Sequence, residues 1–185
     1  MKIKQSDLGK TKILKNFLSK DSFVFEVLGN IDELICWFGF FKNIIKDKKL
    51  KKVFLEIQKE LFIVQAKISS IFLLKQKSKN LPSLNQAIKD LDDLIEKLSK
   101  KIENPKSFIL PGKNKNSSIL HVLRAKTRDL ERDVVKLFKK RKKNEKLEMI
   151  GYLNRLSKFL FYLALREDKN KYLKVNYKLG KLTYE

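Results

Sequence analysis

Arg124, Arg128, Glu131 and Arg132 stand at offsets of 0, 4, 7 and 8 near the end of the stretch SFILPGKNKNSSILHVLRAKTRDLER, which runs from Ser107 to Arg132. On a helix those offsets fall on one face. Like charges at i, i+4 repel mildly unless something anionic lies across them, so this face suits a polyanion. The arginine count supports that reading: of 43 basic residues only six are Arg, at Arg124, Arg128, Arg132, Arg141, Arg155 and Arg166. Lys supplies a mobile point charge, whereas Arg supplies a planar fork that meets phosphate or carboxylate oxygens two at a time. The plain alternative is a solvated face with an Arg128–Glu131 surface pair worth under about 1 kcal/mol. Spacing alone leaves both open.

Other chemistry-bearing groups are sparse. His121 is the single histidine, so no Ser-His-Asp or Cys-His arrangement is available, and without a Cys or carboxylate cluster at ligand spacing no metal site is expected by direct motif. Asp7, Gly9 and Thr11 could form a tight turn whose backbone N–H groups and hydroxyl face a phosphate, although the full spacing of a Walker loop is missing. On its own this terminus reads as disordered. Asp32 lies within an apolar run and would need a cationic partner if buried; Arg124 is the candidate. The Asn154 amide could hold a ligand hydroxyl or phosphate, or cap locally. Phe108, Ile109 and Leu110 are apolar in a loop closed by Pro111-Gly112. They either plug the end of a helical core or wall a site for a large flat ligand.

The elements that must position these groups are helical. Hydrophobic residues make up 43% of the 185, and only six Gly and three Pro interrupt the chain, which predicts one domain of long helices. Helices are expected over about 22–46, 51–74, 83–102, 118–140 and 145–166. The first is apolar nearly all round, so it faces several partners, and Gly29 and Gly39 would permit close packing. Ser83 and Gln86 form a capping box for the third. In the fourth, Ile119, Leu123, Leu130, Val134 and Leu137 face the core, with the arginines pointing away. The net charge of +22 is spread over every segment, which argues against a nucleic-acid stripe. Lone Cys36 fits a reducing compartment, the start MKIKQSDLGK lacks the apolar core of a signal peptide, and the most apolar run, Leu34 to Ile45, is too short to span a bilayer. A cytoplasmic protein without a membrane anchor is expected.

Taken together, the pieces resemble the trimeric ATP:corrinoid adenosyltransferases. The matching residues are Ser19-Lys20-Asp21 leading through Glu26, Gly29 and Ile31-Asp32-Glu33-Leu34; Ile57-Gln58 with Glu60-Leu61-Phe62; Ser107-Phe-Ile-Leu-Pro-Gly112; His121-Val-x-Arg124 with Arg128 and Glu131-Arg132; and Tyr152-Leu-Asn-Arg-Leu-Ser157. The resemblance implies an all-α, up-down, ferritin-like five-helix bundle over 20–167, with a nucleotide-binding segment over 1–19 and a tail over 168–185. It implies that cob(I)alamin attacks the 5′ carbon of ATP to give adenosylcobalamin and triphosphate between two subunits of a homotrimer. Carried over by position, Asp7, Gly9, Thr11, Lys20, Arg128, Glu131, Arg132 and Asn154 bind ATP, with Mg near Glu131. Arg124 pairs with Asp32 across the interface, and Phe108 presses on the lower face of the corrin. A reductase and an adenosylcobalamin-dependent enzyme are the implied partners. The N-terminal pattern Thr-Lys-Thr-Gly-Asp-x-Gly-x-Ser/Thr is altered, with Ile3 and Ser6 replacing the first Thr and first Gly; Asp129 stands where a second Arg is usual, and Lys113 where a Gly is usual. A catalytically weakened corrinoid-binding or escort protein is therefore the alternative function, with a basic helical nucleic-acid module behind it.

Overall fold

The computed structural model describes residues 3–13, 16–74, 81–139, 145–176 and 183–184. A single 3-10 turn, Gln5–Leu8, precedes a small hairpin of β1 (Lys10–Ile13) and β2 (Asn16–Ser19). Five helices follow: α1 (Phe23–Ile44), α2 (Lys48–Phe72), α3 (Asn85–Ser99), α4 (Lys115–Leu137) and α5 (Glu145–Glu167). Two short strands, β3 (Val175–Asn176) and β4 (Thr183–Tyr184), close the described chain. The fold class is all-α, as expected, and no helix among the described residues is long and apolar enough to cross a membrane. The described N-terminal residues form secondary structure, which the disordered reading did not expect: β1 and β2 pair antiparallel, with Lys10 opposite Ser19 and Thr11 opposite Leu18.

The chain divides into two compact units, Met1–Leu84 with Arg132–Met149, and Asn85–Glu131 with Ile150–Glu185. In the first, α1 packs along α2. Periodic apolar positions on each helix make that seam: Phe54 is fully buried, with the Phe38 and Phe41 rings 5.5 and 5.3 Å from its own. Gly39 makes room for Gln58, since a Cβ there would stand 3.1 Å from the Gln58 amide nitrogen. That amide donates to the Ile35 carbonyl at 3.0 Å, and Gln58 Oε1 accepts from Lys42 at 2.9 Å. Gly29 has open space around it, so close packing within the protomer does not explain it. Asp47 caps α2, its carboxylate accepting from the Lys49 and Leu50 amides.

The first unit also holds an ion pair between a buried lysine and a half-buried glutamate. Lys67, 6% exposed, reaches Glu148 at 3.0 Å. The same carboxylate accepts from the Ser83 hydroxyl at 2.5 Å and from the Leu84 amide. Ser83 donates to Glu148, and Gln86 donates to Asp90 at 2.9 Å. Burial pushes the Glu148 carboxyl upward, but the Ser83, Lys67 and Leu84 hydrogen bonds outweigh it and hold the group below its ordinary value.

In the second unit α3, α4 and α5 contribute a core that includes Leu91, Ile95, Leu120, Leu123, Tyr152, Leu156 and Leu160. On α4 as a whole the fully buried apolar positions are Leu120, Leu123, Leu130 and Val134, with Phe138 just beyond the helix. The expected Ile119 and Leu137 are only half-buried, so the buried stripe is rotated by one residue at both ends.

Candidate functional site

Helix α4 owes its start to Asn114. The Asn114 side-chain oxygen accepts from the Ser117 amide at 3.1 Å, which satisfies one of the free N–H groups of the first turn. Its side-chain nitrogen donates to the Glu167 carbonyl at 2.9 Å and to Asp168 at 3.0 Å. The beginning of α4 is therefore tied to the end of α5. Just upstream, Gly112 has φ +93°, and a Cβ there would lie 2.7 Å from the Ser118 hydroxyl. Only glycine accommodates both the left-handed backbone and that approach, so the Pro111-Gly112 turn seats the preceding loop against α4.

That loop carries Phe108, which is 74% exposed. The plug reading is thus overturned for Phe108, and its ring is displayed on the surface. The loop backbone is held from the other side by the tail, where the Val175 amide donates to the Phe108 carbonyl at 2.8 Å and the Leu110 amide to the Leu173 carbonyl at 2.9 Å, with an antiparallel bridge between Ile109 and Lys174. The alternation of Leu173 and Val175 with Lys174 and Asn176 is the signal that could have found this strand. Phe108 lines a cavity of about 380 Å³ with Ser107, Asn104, Phe161, His121 and Arg124.

Arg124 is half-buried, and among the described residues its Nε has no hydrogen-bond partner. Burial first, and then the nearby Arg128 charge, disfavour its protonated form. Arg128 and Arg132 are exposed, and Glu131 is half-buried. Glu131 Oε1 accepts from the Asn154 side chain of α5 at 3.1 Å. The second unit thus brings Phe108 and Arg124 to one cavity, and Glu131 and Asn154 into contact. Arg155, next to Asn154, is held at 3.6 Å from Asp92.

The remaining predicted residues lie in the first unit. Lys20 donates its backbone N–H to the Gly9 carbonyl at 2.8 Å and its ammonium to the Ser6 carbonyl at 3.3 Å. Gly9 adopts φ +70°, and Thr11 sits on β1. The turn and hairpin therefore bring Lys20 against Gly9 and Ser6, with Thr11 further along β1. Asp7 is engaged locally, one carboxylate oxygen accepting from the Lys4 amide at 2.9 Å. Asp32 is exposed on α1, which corrects the premise that a carboxylate in that apolar run would be buried within its own chain. Arg132 begins the second stretch of this unit. Among the described residues no three or more His, Cys, Asp or Glu side chains stand together as a metal site.

The family model for cobalamin adenosyltransferase matches residues 1–167. A corrinoid adenosyltransferase of Citrobacter freundii is 32% identical over 156 residues, covering 82% of this chain and 84% of that protein. A corrinoid adenosyltransferase of Bacillus subtilis is 32% identical over 165 residues, covering 87% and 82%. Among solved structures, a variant PduO-type ATP:corrinoid adenosyltransferase from Lactobacillus reuteri, complexed with cobalamin and ATP, superposes with a TM-score of 0.79 at 28% identity, covering 94% of this chain and 96% of that one. The chain belongs to the cobalamin adenosyltransferase family.

Proposed function

We propose that this protein transfers the 5′-deoxyadenosyl group of ATP to cob(I)alamin, yielding adenosylcobalamin and triphosphate. The observation that carries the reading is the outward face of α4, where Arg128 and Arg132 are exposed and Glu131 holds Asn154, in a chain of this family. The Lactobacillus reuteri relative complexed with cobalamin and ATP supports the pair of ligands.

In this reading Arg128 and Arg132 grip the triphosphate, Asn154 and Glu131 orient the nucleotide, and the hairpin groups Asp7, Gly9, Thr11 and Lys20 wrap the phosphates. Phe108 covers the lower face of the corrin and keeps an axial base off cobalt. Arg124 pairs with Asp32 of a neighbouring copy in a homotrimer. The exposed Asp32 and an Arg124 Nε that is unpartnered among the described residues are compatible with such a contact. The cobalt(I) lone pair forms the bond to C5′ as the C5′–O bond breaks, and triphosphate leaves with that electron pair. No proton moves to or from the protein, so positioning and charge stabilisation are the chain's contribution. Mg fits as part of the nucleotide complex, because it commonly takes one or two carboxylates plus substrate phosphates, and Glu131 is the carboxylate on this face; bound there, it offsets charge on the leaving group. A cytoplasmic reductase would supply cobalt(I), and an adenosylcobalamin-dependent enzyme would take the product.

An anaerobic assay with cob(I)alamin and millimolar ATP tests this directly: adenosylcobalamin accumulates in proportion to enzyme, and no conversion above background rejects it. A weakened corrinoid-binding protein is the second reading. Ile3, Ser6 and Asp129 favour it, together with the local engagement of Asp7 by the Lys4 amide. It predicts a cob(II)alamin spectral change that is the same with and without ATP.

A further inference from the structure

The cavity that carries Phe108 adjoins a second one of different character, and Asn104 and Ser107 line both. The second cavity, of about 520 Å³, is walled by Glu103 and Lys106 from the loop before Phe108 and by Tyr172 and Lys174 from the tail. The tail is fixed to the Phe108 loop by its backbone: the Val175 amide donates to the Phe108 carbonyl at 2.8 Å, and Lys174 bridges Ile109. The strand that holds the Phe108 loop therefore also places Lys174.

The lining sets the charge of what the cavity would take. Two lysines against one glutamate leave a single positive charge on its wall. Burial first, and then the Glu103 charge, hold the Tyr172 phenol above its ordinary pKa, so its hydroxyl stays a donor. A monoanion with several acceptor oxygens matches this set. A cation is repelled by the lysines, and a triphosphate, with several charges, is better matched to the arginine face of α4. A corrinoid with a nucleotide loop brings a fitting group, because its axial base is joined to the ring through ribose and a phosphodiester. When Phe108 covers the lower face, the base leaves cobalt and the phosphodiester moves with it. The Phe108 and Phe161 rings offer an anion no compensation for lost water, whereas the adjoining cavity offers two ammonium groups and a phenol.

We propose that Lys106, Lys174 and the Tyr172 hydroxyl form a subsite for the phosphodiester of the corrinoid's displaced nucleotide loop, so that binding of loop-bearing corrinoids, and not of loop-less ones, depends on these residues. The inference rests on the adenosyltransferase reading for the identity of the ligand and for the lower-face position of Phe108. Lys106 and Lys174 are then specificity-determining residues, and their effect falls on the corrinoid rather than on ATP.

The test uses full-length protein and follows by absorbance the binding of cob(II)alamin and of cob(II)inamide, which lacks both the phosphodiester and the base. Cobalamin alone must release its base, so the readout is the change each substitution makes for each ligand. Lys106→Gln combined with Lys174→Gln should weaken cob(II)alamin about fivefold or more and leave cob(II)inamide within about twofold of wild type. Glu103→Gln should tighten cob(II)alamin about twofold or more without affecting cob(II)inamide, a gain that damage to the fold would not produce. Lys113→Gln with Lys171→Gln removes the same charge from the other cavity that Tyr172 lines, and should leave both ligands within about twofold. Equal weakening of the two corrinoids by the Lys106 and Lys174 substitutions, or no weakening of cob(II)alamin, overturns the proposal. So does weaker cob(II)alamin binding in Glu103→Gln, or an equal loss in the Lys113 and Lys171 variant, which would mark long-range charge alone. A loss of ATP affinity in place of cob(II)alamin affinity would assign the lysines to the triphosphate and overturn it too. The lysine effect without adenosylcobalamin formation contradicts the catalytic reading but not the subsite; turnover without the lysine effect does the reverse.

Discussion

Arg128 separates ligand chemistry from folding, because its guanidinium is exposed on α4 and surface substitutions ordinarily shift stability by no more than about 0.5 kcal/mol. Arg128→Ala should therefore leave the circular dichroism spectrum and melting temperature near wild type while reducing kcat/KM for ATP by at least about a hundredfold, the scale of removing one stabilising donor from a developing anion. Unchanged turnover would contradict the role assigned to it. Phe108 differs in kind, since its 74% exposure means that its ring contributes little to the core. Phe108→Ala should retain ATP binding and stability but lose roughly tenfold or more in kcat, checked by steady-state kinetics with cob(I)alamin; an unaltered kcat would remove the corrin-face role. At this scale the arginine row was legible because four offsets define one helical face. The exposure of Asp32 was not, because an apolar run does not say which of its faces meets solvent in a single protomer. His121 was visible as the single histidine, but its burial was not.

The helices were legible from apolar periodicity, and α1 to α5 fall where it put them to within a few residues. The hairpin was not, since β1 alternates exposed and half-exposed residues with none buried, leaving no apolar face to read. The Lys67–Glu148 pair was equally hidden, because 81 residues separate its members and nothing local links them. Its consequence belongs to the elements it joins, α2 and the first turn of α5. The folded-state pKa of Glu148 is depressed, so its contribution to stability is present above the ordinary carboxyl value and is lost as pH falls through the depressed one. Wild type should lose stability in acid over that window, whereas Glu148→Gln should be less stable at neutral pH by about 2 kcal/mol and show a flatter acid limb. Urea melts of the two proteins from neutral pH downward measure this. Parallel curves at every pH would show that the pair does not operate.

For the whole molecule the proposed site requires more than one copy. Phe40 and Phe62 are 53% and 54% exposed on α1 and α2, and Leu55 is 41% exposed; large apolar side chains of this kind are suited to a subunit interface. Sedimentation equilibrium should report a species of about three times the 21.8 kDa protomer, and a protein that stays monomeric at assay concentrations would remove the composite site. Family membership and fold class do not depend on that result. The most direct measurement follows both products when purified protein, cob(I)alamin and ATP are mixed without oxygen. Adenosylcobalamin and inorganic triphosphate should appear in equal amounts and disappear together in Arg128→Ala. Corrinoid bound tightly with neither product formed, or phosphate released in place of triphosphate, would contradict adenosyl transfer by this chain.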